Sequence, residues 1–232
     1  MVLKTYKFAR SRYTWRNRHV DSDSTLPKVM GTSKNQDDYG KGSCAYVGTC
    51  CSLEAHVRIK TKQSRELSPR DLEKKVAALT KASERMRSKG RMTRCFYVLC
   101  NEGVAFQDSE ETCKVESYRA YYLERRGHAA AAINEYLRYG PMIGVFEVRG
   151  RDLDRYGLST GFDAIHFVNY GHRNGVQHQT HAVTIPGFGL QEICPFWEFQ
   201  NTHGREWRGS ARGYGQLYAP HLIELYGYKL AA

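Results

Sequence analysis

Four residues of this chain have the types and the order that thiol chemistry requires: Gln36, Cys44, His181 and Asn201. Cys44 follows Gly42-Ser43 and opens a run with helical apolar spacing, which puts its thiol at a helix N-terminus. Unpaired amide N–H groups and the helix dipole favour a thiolate there. The small residues in front let another backbone come close. A buried structural thiol could carry the same local sequence, so the partners matter. His181 heads the apolar segment HAVTIPGFG, and Asn201 follows the run FWEFQ. An imidazole can take the thiol proton while an asparagine carbonyl holds the ring's tautomer and orientation. Gln36 could donate its amide N–H to a developing oxyanion, beside the backbone N–H of Cys44. No cofactor or metal is implied. His172, His178 and His203 fit no common ligand spacing and read as surface residues.

The elements that must position these groups divide the chain in two. From about residue 43 to 139 it reads helical. AYVGTCCSLEAHVRIKTK has apolar residues at helical spacing, and LSPRDLEKKVAALTKASERM opens with Ser68 as N-cap and Pro69 at the first helical position. SYRAYYLERRGHAAAAINEYLRYG is read as helix broken near Gly127, with a short helix from Ala129 to Leu137. Cys50 and Cys51 are adjacent in the first helix and cannot comfortably bond to each other. The second half changes character: MIGVFEV, FDAIHFV, HAVTIPGFG, FWEFQN and YGQLYA are short β-type runs between Gly, Asn and Asp turn signals. A helical half followed by a β half predicts an α+β fold with two lobes and a cleft where they meet.

The order of these segments resembles the papain-like cysteine peptidases. KNQDDYGKGSCAYV, residues 34 to 47, looks like the family's KNQ…GSCWAF stretch. SLEAHVRIKT resembles its ALEG-type helix, LSPRDLEKK its LSxQxLxDC stretch, and INEYLRYGPMIGVFEV its helix–GPV–strand element. THAVTIPGFG resembles NHAVxxVGYG, FWEFQNTHGREWRGSARGYGQLY resembles YWxxKNSWGxxWGxxGYxRI, and YTWR at 13 to 16 looks like the DWR near the start of the mature enzyme. His181 and Asn201 lie 137 and 157 residues after Cys44. The family places this pair about 130–150 residues downstream, so the histidine fits and the asparagine lies slightly beyond. The resemblance covers nearly the whole chain, residues 1 to 232 forming one papain-like domain with a helical lobe at about 30–115 and a barrel-like antiparallel β lobe at about 116–232. It implies Cys44 as nucleophile, His181 as base and acid, Asn201 as orienter and Gln36 as oxyanion donor. It further implies a polypeptide in the interlobe cleft and a monomer.

Several departures accompany these matches. Ala45 stands where the family has the tryptophan after its nucleophile, and His203 where a tryptophan shields the Asn–His hydrogen bond. Two extra residues separate Gln36 from Cys44, and Pro186 interrupts the strand after the histidine. No adjacent glycine pair replaces GCNGG between Lys74 and Arg94, which places SKGR, Ser88 to Arg91, on that rim of the cleft. The family's disulfides are missing together: Lys41 and Lys75 occupy one bridge, and Cys113 lacks its partner for a second. Each such bridge is worth about 2–4 kcal/mol, so the core must supply that stability. The family's inhibitory propeptide helices are also missing, so secretory zymogen processing is not expected. A catalytically impaired papain-fold module that binds protein in its cleft is the alternative to an active peptidase.

Composition narrows the remaining classes. Hydrophobic residues make up 41% of 232, enough for a sizeable core. No run of eighteen apolar residues occurs, so no membrane role is expected. The net charge of +11 raises nucleic-acid binding. The charges are dispersed, however, and no zinc-finger, RNP-like or P-loop motif accompanies them, so nucleic acid is not the expected partner. Seven cysteines without a secretory leader fit reduced thiols in an intracellular compartment, cytoplasm or nucleus, rather than secretion. The N-terminus is basic without acidic residues, which leaves organelle import as an option. A solvated basic segment of the domain is the plainer reading.

Overall fold

The computed structural model describes residues 12–40, 42–149, 151–158, 164–168 and 178–231. The basic stretch up to Ser11, Lys41 and His172 lie outside them.

Helix α1 (Cys44–Thr61) is buried along most of its length, because small and apolar residues surround it on every side. Its two buried charges are Glu54 and Arg58, one turn apart and 3.5 Å from each other. Helix α2 (Pro69–Ala82) begins as expected, with the Ser68 hydroxyl accepting from the Asp71 N–H. A short turn α3 (Glu84–Arg87) leads to α4 (Arg91–Asn101), which presents Met92, Cys95, Phe96 and Leu99 to the core. Lys75, standing where the family has a cysteine, bonds Asp71 at 2.8 Å and the Gly103 carbonyl at 3.0 Å. It thereby ties α2 to the chain after α4 without a covalent link.

The strands are β1 (Tyr13–Thr14), the small pair β2 (Val104–Ala105) and β3 (Thr112–Cys113), then β4 (Val115–Tyr122) and β5 (Met142–Arg149). Between β4 and β5 comes helix α5 (His128–Ala132), continued by a π turn over Ile133–Leu137. Helix α6 (Asp152–Gly157) precedes β6 (Ile165–His166), β7 (His178–Gln191), β8 (Cys194–Gln200), β9 (Tyr214–Tyr218) and β10 (Leu222–Leu230). The main sheet runs β4-β10-β5-β7-β8-β9-β6, with β1 added to β7. Its pairings are antiparallel except β6 with β9.

The segment SYRAYY is a strand where helical spacing was expected. Its residues pair with β10, from Tyr118 opposite Tyr228 to Tyr122 opposite Glu224. Aromatic residues suit a pleated, half-covered surface, and partner pairing outweighs local helical preference. The same pairing makes a strand of β10, which carries no turn signal of its own. Of FDAIHFV, Ile165 and His166 are in a strand, while Phe162 and Asp163 lie outside the described residues.

Strand β7 is the spine of the sheet. Its first half pairs with β5, and its second half with β8 and β1. Pro186 sits where the register with β8 shifts, between Thr184 and Gly187, so its missing N–H costs no ladder bond. Its carbonyl accepts from the Trp15 N–H at 3.0 Å. One core fills the space between α1, α2, α4 and the sheet, with Leu53, Phe96, Leu99 and Ile143 fully buried. A second lies on the other face of β7, around Phe146, Val183, Trp197 and Phe199.

Candidate active site

The site is assembled by three local features. The first is the contact of α1 with β7. Gly48 lies one turn after Cys44, on the same face of the helix. A Cβ there would stand 3.3 Å from the Ala182 carbonyl oxygen, and the Gly48 carbonyl accepts from the Thr184 hydroxyl at 3.0 Å. Glycine thus lets the helix press on the strand that bears His181, and the first turn of α1 is seated beside it.

The second feature is the register of β7 with β8. Thr184 opposes Gln200; continued, the same register would bring His181 opposite His203. The strand ends at Gln200, and Asn201 turns in to His181. The Asn201 Oδ1 lies 2.7 Å from the His181 Nε2 and also accepts from the Thr202 N–H at 2.9 Å. Both residues are buried, His181 at 6% and Asn201 at 1% exposure. The His203 ring lies 5.3 Å from that of His181, in the place where the family has tryptophan, and Phe146 meets His181 edge-on at 5.6 Å.

The third feature is the strap from Ser33 to Gln36, laid along the loop that carries Asn201. The Ser33 hydroxyl donates to the Asn201 carbonyl at 2.5 Å, and Asn35 bridges His203. The Gln36 N–H donates to the Thr202 carbonyl at 2.5 Å. The Thr202 hydroxyl donates to Gln36 Oε1 at 2.6 Å, so that end of the side chain is satisfied and the Nε2 amide remains as the donor. The Ser43 hydroxyl, just before Cys44, donates to the Gln36 carbonyl at 2.8 Å. The two extra residues between Gln36 and Cys44 therefore do not part the strap from the helix. Ser33 and Thr202 carry no signal in the sequence beyond adjacency to the strap and to Asn201.

Cys44, 8% exposed, lines a cleft of about 940 Å³ together with Gln36, Ala45, Val145, and Thr180 and Ala182 on either side of His181. Gly90 and Arg91, the end of the SKGR segment, form part of its rim. Burial lowers the His181 pKa to about 4, against the raising effect of the Asn201 bond. Burial likewise lowers His203, reinforced by the nearness of His181 and opposed by Asp37 and Asp154. All seven cysteines are free. Burial pushes Cys95 and Cys51 up to about 12 and Cys113 up to about 11, which keeps those thiols protonated and inert.

Solved structures of similar shape agree with this architecture. A mite-allergen structure, from work on antibody cross-reactivity between Blo t 1 and Der p 1, superposes with a TM-score of 0.67. It is 18% identical, over 98% of this chain and 73% of that one. The ragweed pollen cysteine protease Amb a 11 in its proform gives a TM-score of 0.65 at 16% identity, over 100% of this chain and 69% of that one. Procathepsin L 3 of the Tenebrio molitor larval midgut gives 0.64 at 15% identity, over 99% of this chain and 72% of that one. At these identities the likeness establishes the fold, a papain-like α+β arrangement. No curated protein sequence matches the chain. The sequence profile described as "Papain family cysteine protease" matches residues 17–221. The chain belongs to the papain family of cysteine proteases.

Proposed function

We propose that this protein is an active thiol peptidase that hydrolyses peptide bonds through an acyl-enzyme on Cys44. The observation that carries the reading is the bond between His181 Nε2 and Asn201 Oδ1. The amide oxygen can only accept, so Nε2 carries the ring proton and Nδ1 is the basic nitrogen. That nitrogen takes the Cys44 proton as the sulfur attacks the carbonyl carbon of an extended polypeptide in the cleft. The carbonyl oxygen becomes an oxyanion, met by the Cys44 backbone N–H and the Gln36 Nε2 amide. Collapse expels the amine, which takes the proton from Nδ1. A water that gives its proton to Nδ1 then attacks the thioester, and the acid product leaves with Cys44 restored. Burial disfavours the imidazolium of His181, so its formation relies on the Cys44 thiolate and on the Asn201 carbonyl that holds the Nε2 proton. The free thiols of all seven cysteines support our further reading that the enzyme works in a reducing compartment.

The test is alkylation with iodoacetamide near pH 6, mapped by peptide mass. Cys44 should react far faster than Cys95 or Cys113, and Cys44→Ala should abolish hydrolysis of a quenched peptide pool while keeping the native circular dichroism. Equal labelling of the three thiols, or hydrolysis surviving in Cys44→Ala, would remove Cys44 as nucleophile and favour a cleft that only binds.

A further inference from the structure

The wall of the cleft opposite the sheet carries two guanidinium groups. Arg91 and Arg94, on the first turn of α4, both line the cleft that Cys44 lines. Arg91 Nη1 donates to the Gly42 carbonyl, two residues before Cys44 in the chain, and its guanidinium lies 5.9 Å from the Tyr46 ring. Arg94 Nη1 reaches the Thr80 hydroxyl at 3.3 Å, while its Nε is buried with no hydrogen-bond partner. Among the described residues neither guanidinium forms an ion pair. Arg91 is exposed at the cleft, and the outer nitrogens of a guanidinium form a planar fork whose matching acceptor is a carboxylate. The cleft also contains two acidic groups: Asp37 beside Gln36, and Glu224 on β10, whose Oε2 accepts from the Tyr226 hydroxyl at 2.6 Å. Positive charge is thus gathered on the α4 wall, and one negative group stands on the β10 wall.

We infer that Arg91 and Arg94 form a subsite for a carboxylate of the substrate, so the enzyme selects peptides with an acidic group at the one position that meets the α4 wall. This deepens the peptidase reading and rests on it only for the turnover measurement. The carboxylate is a Glu or Asp side chain or the free C-terminus of a peptide.

Binding separates the two questions. Cys44→Ala protein is titrated, by fluorescence polarisation, with three series of labelled peptides. In the first, Glu is scanned along a neutral peptide; in the second, Gln takes its place; in the third, the neutral peptide ends in a free carboxylate or an amide. One Glu position should bind about 10-fold tighter than its Gln counterpart, the order expected of one charge-assisted hydrogen bond. A free-acid preference without a Glu preference would assign the site to chain termini. In Arg91→Ala/Arg94→Ala on the same background the preference should fall to about one. Raising ionic strength from about 0.1 M to about 1 M shortens the screening length from about 10 Å to about 3 Å. The preference should erode accordingly in protein with both arginines intact, which tests the subsite even if the double variant does not fold. Equal binding of acidic and neutral ligands, or a preference that survives the double substitution, overturns the subsite. Hydrolysis absent from Cys44-containing protein, with the Glu preference present in binding, would instead overturn the peptidase reading and leave the subsite standing.

Discussion

Glu54 is the residue whose loss should most affect the frame of the site. It is 2% exposed on α1, and its Oε1 accepts from Lys34 Nζ at 2.7 Å and from the Leu67 N–H at 2.8 Å. Its Oε2 lies 3.5 Å from Arg58. Glu54→Gln keeps the size and one acceptor but leaves two cations facing a neutral amide. Removing one member of a buried pair costs about 3–5 kcal/mol. Lys34 keeps Glu66 and the Leu67 carbonyl, both at 3.3 Å, and Arg58 keeps the Ser64 hydroxyl at 3.2 Å, which puts the cost near the lower end. For a domain of this size about 3 kcal/mol corresponds to a fall in Tm of about 6–12 °C. Lys34 lies within the strap that runs from Ser33 to Gln36, so kcat should fall as well. Thermal and urea unfolding of Glu54→Gln, Lys34→Met and the double variant would measure the pair, with an expected coupling above about 1 kcal/mol. A loss under about 1 kcal/mol with no coupling would mean that Lys34 is effectively solvated, and that this ion pair does not hold the strap.

Other outcomes follow from the same geometry. Thr202→Val removes the hydroxyl that orients Gln36 and should lower kcat about 5–10-fold with little change in KM, read from initial rates; an unaltered kcat would remove Gln36 from the oxyanion site. Gly213 has φ +85° and would place a Cβ 2.6 Å from that of Ser33, so Gly213→Ala should cost about 1–3 kcal/mol in urea unfolding; a neutral result would show that the strap yields. Burial holds His166 and His181 at about 4, below an unfolded value of 6.5, so the unfolded chain binds their protons more tightly. The stability they contribute is whole above about pH 6.5 and is lost as pH falls towards 4, at about 1.4 kcal/mol per pH unit for each. His166→Gln should flatten that decline, and an unchanged slope in urea midpoints would contradict it. His203→Phe keeps a ring against His181 but cannot become cationic. A cationic His203 holds the His181 pKa down, so without it the acid limb of kcat/KM should move to higher pH by the order of one unit, and an unmoved limb would exclude a charge effect of His203.

The sequence alone determined the chemical types and their order. A thiol behind Gly-Ser at a helix start, a histidine heading an apolar strand and an asparagine closing another are local patterns, and the papain-like resemblance rests on such short segments. Ser68 and Pro69 likewise marked the start of α2, because capping and proline geometry depend on neighbours in the chain. Only the tertiary structure decided what depends on partners distant in sequence. Val115–Tyr122 is a strand because β10 pairs with it, and Pro186 is tolerated because the β8 register shifts beside it. Thr202 gains its role because the strap at Ser33–Gln36 lies along its loop, and Glu54 because Lys34, twenty positions earlier, folds against it. Arg91 ends the SKGR segment that the resemblance puts on the rim of the cleft, whereas Arg94 meets the cleft only because α4 packs beside α1. Backbone pairing, burial and charge contacts between remote segments set these features, and spacing along the chain does not encode them.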